Sequence, residues 1–292
     1  MTGDEEMHPL FLTIANINSD VQMKATSHSW ACITYTPTSE FIVHPDYKSV
    51  LKAHVWHHCL DIVCAGLKIA AHTGTFMSDP SSLTQYCFMP LVAYIADLPE
   101  QLMIACVSKS VSPISLTEQS QFGDGNQYPP HNGELTLQKL AHICCSLGID
   151  PWKLREFLDE AKKQNLSGVQ LPFWWNWQFS NPAMFLLGEL LHTGHKFFYD
   201  HPFKWCKTFL GNNELDACFR IQHKRVSTRH FNGVSGASQM TGHEHQDIQH
   251  TIVATIAGSA ALEFIRTICA FIDFLYRAQS LTFTISSASG EL

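Results

Sequence analysis

Charge is scarce in this chain. Only 15% of its 292 residues are charged, and 19 Lys and Arg stand against 26 Asp and Glu, for a formal net charge of −7. A surface that grips nucleic acid by charge alone normally shows a basic stripe. The only basic cluster is "HKRVSTRH", His223 to His230, and it is too short to diagnose such a surface. No C-x-x-C pair exists, so a sulfur-ligated zinc site has no support. G-x-S-x-G, H-E-x-x-H and P-loop motifs are also missing, which removes the common nucleophile, zincin and nucleotide signatures. The start, "MTGDEEMHPL", has neither the basic nor the apolar region of a signal peptide. The long apolar stretch "TIVATIAGSAALEFIRTICAFIDFLY" is broken by Glu263, Arg266 and Asp273, which suits a buried helix better than a membrane span. The expectation is a nuclear or cytoplasmic protein, not secreted and with no membrane partner. Its ten cysteines then read as reduced thiols.

What is present is a hydrophobic fraction of 45%, enough for a substantial core in one large domain or two small ones. "PLFLTIANI" (9–17) and "SWACITYT" (29–36) read as strands, being β-rich runs bounded by turn residues. Residues 46–71 place Val50, Leu51, Val55, Leu60, Val63 and Leu67 at helical spacing. The apolar run 88–96 reads as a fully buried strand, followed by a short helix to about Val107. A Ser-, Gly- and Pro-rich stretch after Lys109 reads as a long ordered loop or a linker. Helices are expected over about 135–147, 151–164, 183–210, 213–225 and from 241 onward.

Three constellations carry acids or histidines in suggestive places. In "FMPLVAYIADLPEQ", Asp97 ends the apolar run. As an N-cap it has a proline early in the helix and Glu100 at the capping-box position, worth about 1 kcal/mol for the cap. As a functional acid it would point from a strand end into the crevice where α/β ligands bind. In "GELLHTGHKFFYDHPFKWC", Glu189, His192 and His195 recur every three residues near one helix face, a spacing that can ligate a metal or simply pack. In "TGHEHQDIQHTIVATIAG", Thr241 and Glu244 form a T-x-x-E capping box, while His243, Asp247 and His250 make a polar, solvated face.

Taken together, five phrases in order carry a resemblance: "HPLFLTIANINSDVQMKATSHSWACITYTPTSEF", "PLVAYIADLPEQLMIACV", "SPISLTEQSQFGDGNQYPP", "GVQLPFWWNWQFSNPAMFLLGELLHTGHKFFYDHPFKWC" and "RHFNGVSGASQMTGHEHQDIQHTIVATIAG". The chain resembles the transposases of Plavaka-type DNA transposons of basidiomycete fungi, relatives of the CACTA group, from about His8 to about Ala278. The resemblance implies an α/β fold with a large all-α part: a ribonuclease-H-like core interrupted by a helical insertion. Residues 1–110 would form part of that core, 111–235 the insertion and 236–292 a closing helical segment.

In that family three acids bind two divalent metals, Mg²⁺ or Mn²⁺, for DNA strand cleavage and transfer. Asp97 matches the second acid and Glu244 the third, with Glu189 as the alternative; His192 belongs to a neighbouring Leu-His pair that the family links to metal. The first acid should lie on a strand before "PLFLTIANI". The seven residues before His8 are too short and polar for it, so the core is expected to be incomplete. Many relatives carry a Cys-Pro-x-Cys knuckle after the second acid; here "CVSKSVSPIS" has Cys106 alone. The expected function is a truncated transposase remnant, with DNA as its ancestral partner, that no longer cleaves. The competing reading is a non-catalytic module whose helical block binds a protein partner. For it the Trp-rich "PFWWNW" (172–177) would serve as a docking surface, whereas a packing core suits the same residues.

Overall fold

The computed structural model describes residues 7–188, 190–226, 228–237 and 240–280. About half of the chain is helical and its sheets are small, a mixed α/β fold with much helix. It divides into two compact units, Met1–Leu187 and Gly188–Leu292.

The first unit opens with an antiparallel ribbon, Met7–Leu12 against Ala31–Pro37, whose register slips between Leu10 and Phe11. The helix expected over 46–71 is two helices, Pro45–Val63 and Ala65–Thr73, broken at Cys64 (φ −88°, ψ 2°). A second ribbon, Thr75–Ser78 with Thr84–Cys87, has no counterpart in the strands expected from sequence. Its turn is built by Asp79, whose Oδ1 accepts the N–H groups of Ser81 (2.9 Å) and Leu83 (3.0 Å).

The run 88–96 departs most from expectation. Only Tyr94–Ala96 is strand, pairing with Leu186–Gly188, and Phe88, Val92 and Ile95 are each more than half exposed. Pro90 has no N–H for a ladder. Its neighbours are satisfied by side chains instead: the Trp177 indole donates to the Met89 carbonyl (3.0 Å), and Ser180 Oγ accepts the Leu91 N–H (2.7 Å). Among the described residues the strands form three separate two-stranded ribbons.

The helix Leu98–Ala105 follows and stops in a Schellman motif. Val107 N–H donates to the Leu102 carbonyl and Cys106 N–H to that of Met103, both at 3.1 Å. Cys106 holds the left-handed position (φ 59°) that glycine usually takes, and its side chain is fully buried. Residues 111–131 are an ordered loop with one 3₁₀ turn, Gln119–Gln121. Helices Gly133–Ala141 and Leu154–Lys163 pack through Leu140, Ile143, Phe157, Ala161 and Leu166.

The segment "PFWWNW" is mainly core. Phe173, Trp174 and Trp177 are buried with Leu60, Ile104 and Phe185, and the Trp174 indole donates to the Ile104 carbonyl (2.7 Å). Of its aromatic residues Trp175 alone is substantially exposed.

In the second unit the helix expected over 183–210 is broken into short pieces, the last two being Lys196–Asp200 and Pro202–Leu210. His201, before Pro202, is driven out of helical geometry (φ −123°, ψ −76°). Helices Asn212–Ile221, Gly242–Ile256 and Leu262–Ala278 complete the unit. One core joins Phe198, Phe203, Leu215 and Phe219 to Ile248, Ile252, Ile268 and Leu275, so residues on both sides of position 235 share it.

Candidate functional site

Asp97 stands at the head of Leu98–Ala105 and caps it, its Oδ1 accepting the Glu100 N–H at 2.9 Å. Glu100 does not return the bond as a capping box would. Its Oε1 accepts the Tyr94 hydroxyl at 3.1 Å, because that half-buried phenol needs an acceptor. Burial, only partly offset by this bond, raises the Glu100 carboxyl above its ordinary range.

Glu244 lies in the second unit, at the head of Gly242–Ile256, and there the box is complete. Thr241 Oγ1 accepts the Glu244 N–H (3.3 Å), and Glu244 Oε2 accepts the Thr241 N–H (2.6 Å). Its other oxygen, Oε1, pairs with the Arg229 guanidinium. Each acid therefore serves its own helix within its own unit. Glu189 lies outside the described residues, as does the side chain of His192.

His195 is buried among glutamines. Its Nδ1 is 2.8 Å from Gln249 Oε1, and its Nε2 lies 3.0 Å from Gln246 Nε2 and 2.6 Å from Gln279 Nε2. An amide nitrogen can only donate and an amide oxygen only accept, so these glutamines suit a ring that accepts on Nε2 and donates from Nδ1. Sequence reasoning missed these glutamines because an amide has no titratable signature. Of the expected polar face His243 and His250 are exposed, while Asp247 is half-buried and accepts the Arg229 N–H.

Cys106 meets a different histidine. His57, 1% exposed, accepts the Phe173 N–H on Nδ1 (3.0 Å) and donates from Nε2 to the Met103 carbonyl (3.1 Å), with Cys106 Sγ 3.6 Å from Nε2. Burial pushes the thiol well above its usual range, and its sulfur packs against the His57 ring.

Among the described residues no three His, Cys, Asp or Glu side chains converge as a metal-holding group. Two-metal chemistry needs carboxylate oxygens free to bridge the ions. Both Glu244 oxygens and one oxygen of Asp97 are engaged by protein groups. No described helix is long and apolar enough to cross a membrane.

Comparison with known proteins supplies the class and then the family. A family model described as Plavaka transposase matches residues 1–206, the whole first unit and the start of the second. That makes the chain a transposon-derived protein, of a kind whose business is with DNA. It belongs to the Plavaka transposase family. No curated protein and no solved structure matches it.

Proposed function

We propose that this chain is a remnant of a basidiomycete DDE-type DNA transposase, derived from metal-dependent strand cleavage and transfer on a ribonuclease-H-like core, and that it does not cleave DNA itself. Asp97 and Glu244 descend from the second and third acids, with Glu189 the alternative third. Mg²⁺ or Mn²⁺ belongs to the ancestral reaction. The observation that carries the inactive reading is the occupation of both acids by helix caps, with Glu244 additionally held by Arg229. A carboxylate held this way stabilises its helix whether or not a metal is present.

The test is incubation of the purified chain with labelled duplex DNA and each metal, beside Asp97→Asn and Glu244→Gln. Both substitutions keep a cap acceptor, so fold loss does not confuse the result. No nicking is expected from any of the three proteins. Metal-dependent nicking by the wild type that either variant abolishes would overturn the inactive reading and assign that acid to catalysis.

A further inference from the structure

Residues 217–243 contain no Asp or Glu, yet hold Arg220, Lys224, Arg225 and Arg229 together with three histidines. This stretch lies beyond the residues matched by the family model. Most cations around it are already committed. Lys196 and Lys204 share Asp200, Arg220 Nε donates to the Asn232 carbonyl (3.3 Å), and Arg229 pairs with Glu244. Lys224 and Arg225 are exposed and have no ion-pair or hydrogen-bond partner among the described residues.

The segment carrying them is tied down on both sides. Gln222 Nε2 donates to Thr255 Oγ1 at 3.0 Å. Arg229 N–H donates to Asp247 Oδ2 at 3.0 Å, and the Arg229 guanidinium lies 5.5 Å from the centre of the Phe231 ring. Farther on, Asp216 Oδ1 accepts the N–H groups of Val234 (2.7 Å) and Ser235 (2.8 Å), and its Oδ2 accepts the Ser235 hydroxyl (2.6 Å). Lys224 and Arg225 follow the Gln222 anchor as two adjacent exposed cations, and Val226 beside them is 95% exposed.

We propose that Lys224 and Arg225 form a phosphate-contacting tip that docks the second unit on the backbone of duplex DNA. The partner class rests on the transposase reading; the placement rests on the anchored, acid-free loop. A lysine point charge beside an arginine fork suits phosphate oxygens, and the neighbouring anchors reduce the ordering cost on binding. In a chain of net charge −7 a local contact of this kind yields modest, strongly salt-dependent affinity.

The experiment is fluorescence anisotropy of the full chain with a mixed-sequence DNA duplex across a salt series. The double variant Lys224→Ala/Arg225→Ala is compared with Arg155→Ala/Lys162→Ala, an equal charge loss from exposed positions in the first unit. Loss of two phosphate contacts should make the slope of log affinity against log salt shallower by about 2 for the loop variant. The control variant should keep the wild-type slope, and all three proteins should melt together. The proposal is overturned by a wild type that does not bind duplex, a loop variant with unchanged slope, or a control that loses as much. Cleavage is scored separately: metal-dependent nicking would count against the inactive reading while leaving the docking result intact.

Discussion

Asp97 accepts the backbone N–H of Glu100 at 2.9 Å, yet Glu100 turns its own carboxylate away to the hydroxyl of Tyr94. The cap is thus one-sided, and it rests on any short acceptor at position 97. Asp97→Ala should lower stability by about 1 kcal/mol, whereas Asp97→Ser and Asp97→Asn should stay within a few tenths of wild type. Urea melts of the four proteins check this. A loss in Asp97→Asn as large as in Asp97→Ala would mean that the charge, not the cap, is needed.

The buried ammonium of Lys68 makes an asymmetric prediction. Lys68 is 5% exposed and is held by Asp61 and by Asn176 Oδ1 at 2.8 Å, while the Asp61 side chain keeps about a third of its surface in water. Removing the acid strands a buried charge, but removing the lysine leaves a hydrated one. Asp61→Asn should therefore cost about 3 kcal/mol, and Lys68→Met, which refills the volume, much less. Combining the two should recover most of the Asp61→Asn loss. Equal single losses with simple additivity in thermal melts would reject this account.

Cys106 sits in a left-handed conformation that costs a side-chain-bearing residue about 1 kcal/mol, and its fully buried thiol fills space beside His57. Cys106→Gly relieves the backbone but empties the site, whereas Cys106→Ala keeps the strain and loses the sulfur. We predict that Cys106→Ala is the less stable of the two, because only the glycine offsets the lost packing. Denaturation of both variants reads the order directly, and alanine being equal or better would show that packing of Cβ dominates.

What was legible in the sequence was what is local. Asp97 and Thr241/Glu244 announce their caps within four residues, and the structure places all three where that spacing puts them. The break before Pro202 was equally local, but the course of residues 88–96 depends on distant partners. Trp177 and Ser180, 88 and 89 positions away from the groups they bind, replace the ladder bonds that a strand would have required. The glutamine setting of His195 is assembled from residues 51 to 84 positions later, so no motif near "LLHTGH" could have signalled it. The basic cluster was visible, but which of its cations are free depends on where Glu244 lies.

The pH dependence of the first unit should centre on His57. Its imidazole receives the Phe173 N–H on Nδ1 and donates from Nε2, an arrangement that only the neutral ring can make. Burial is the main cause that brings its pKa down from 6.5 to about 4, partly opposed by the Met103 carbonyl and aided by His54. A depressed pKa means that the folded state resists protonation. The stabilisation is complete above pH 6.5 and is lost as the pH falls from 6.5 toward 4, by about 3 kcal/mol in all. His57→Leu removes the titration but strands the Phe173 N–H and the Met103 carbonyl, so it should be less stable than wild type at pH 7 by a few kcal/mol. Between pH 7 and 4 the gap between the two proteins should therefore close, as wild type loses what the variant no longer has to lose. Urea midpoints at half-unit steps measure it. A gap that stays constant with pH would show that His57 accepts its proton without disturbing the fold.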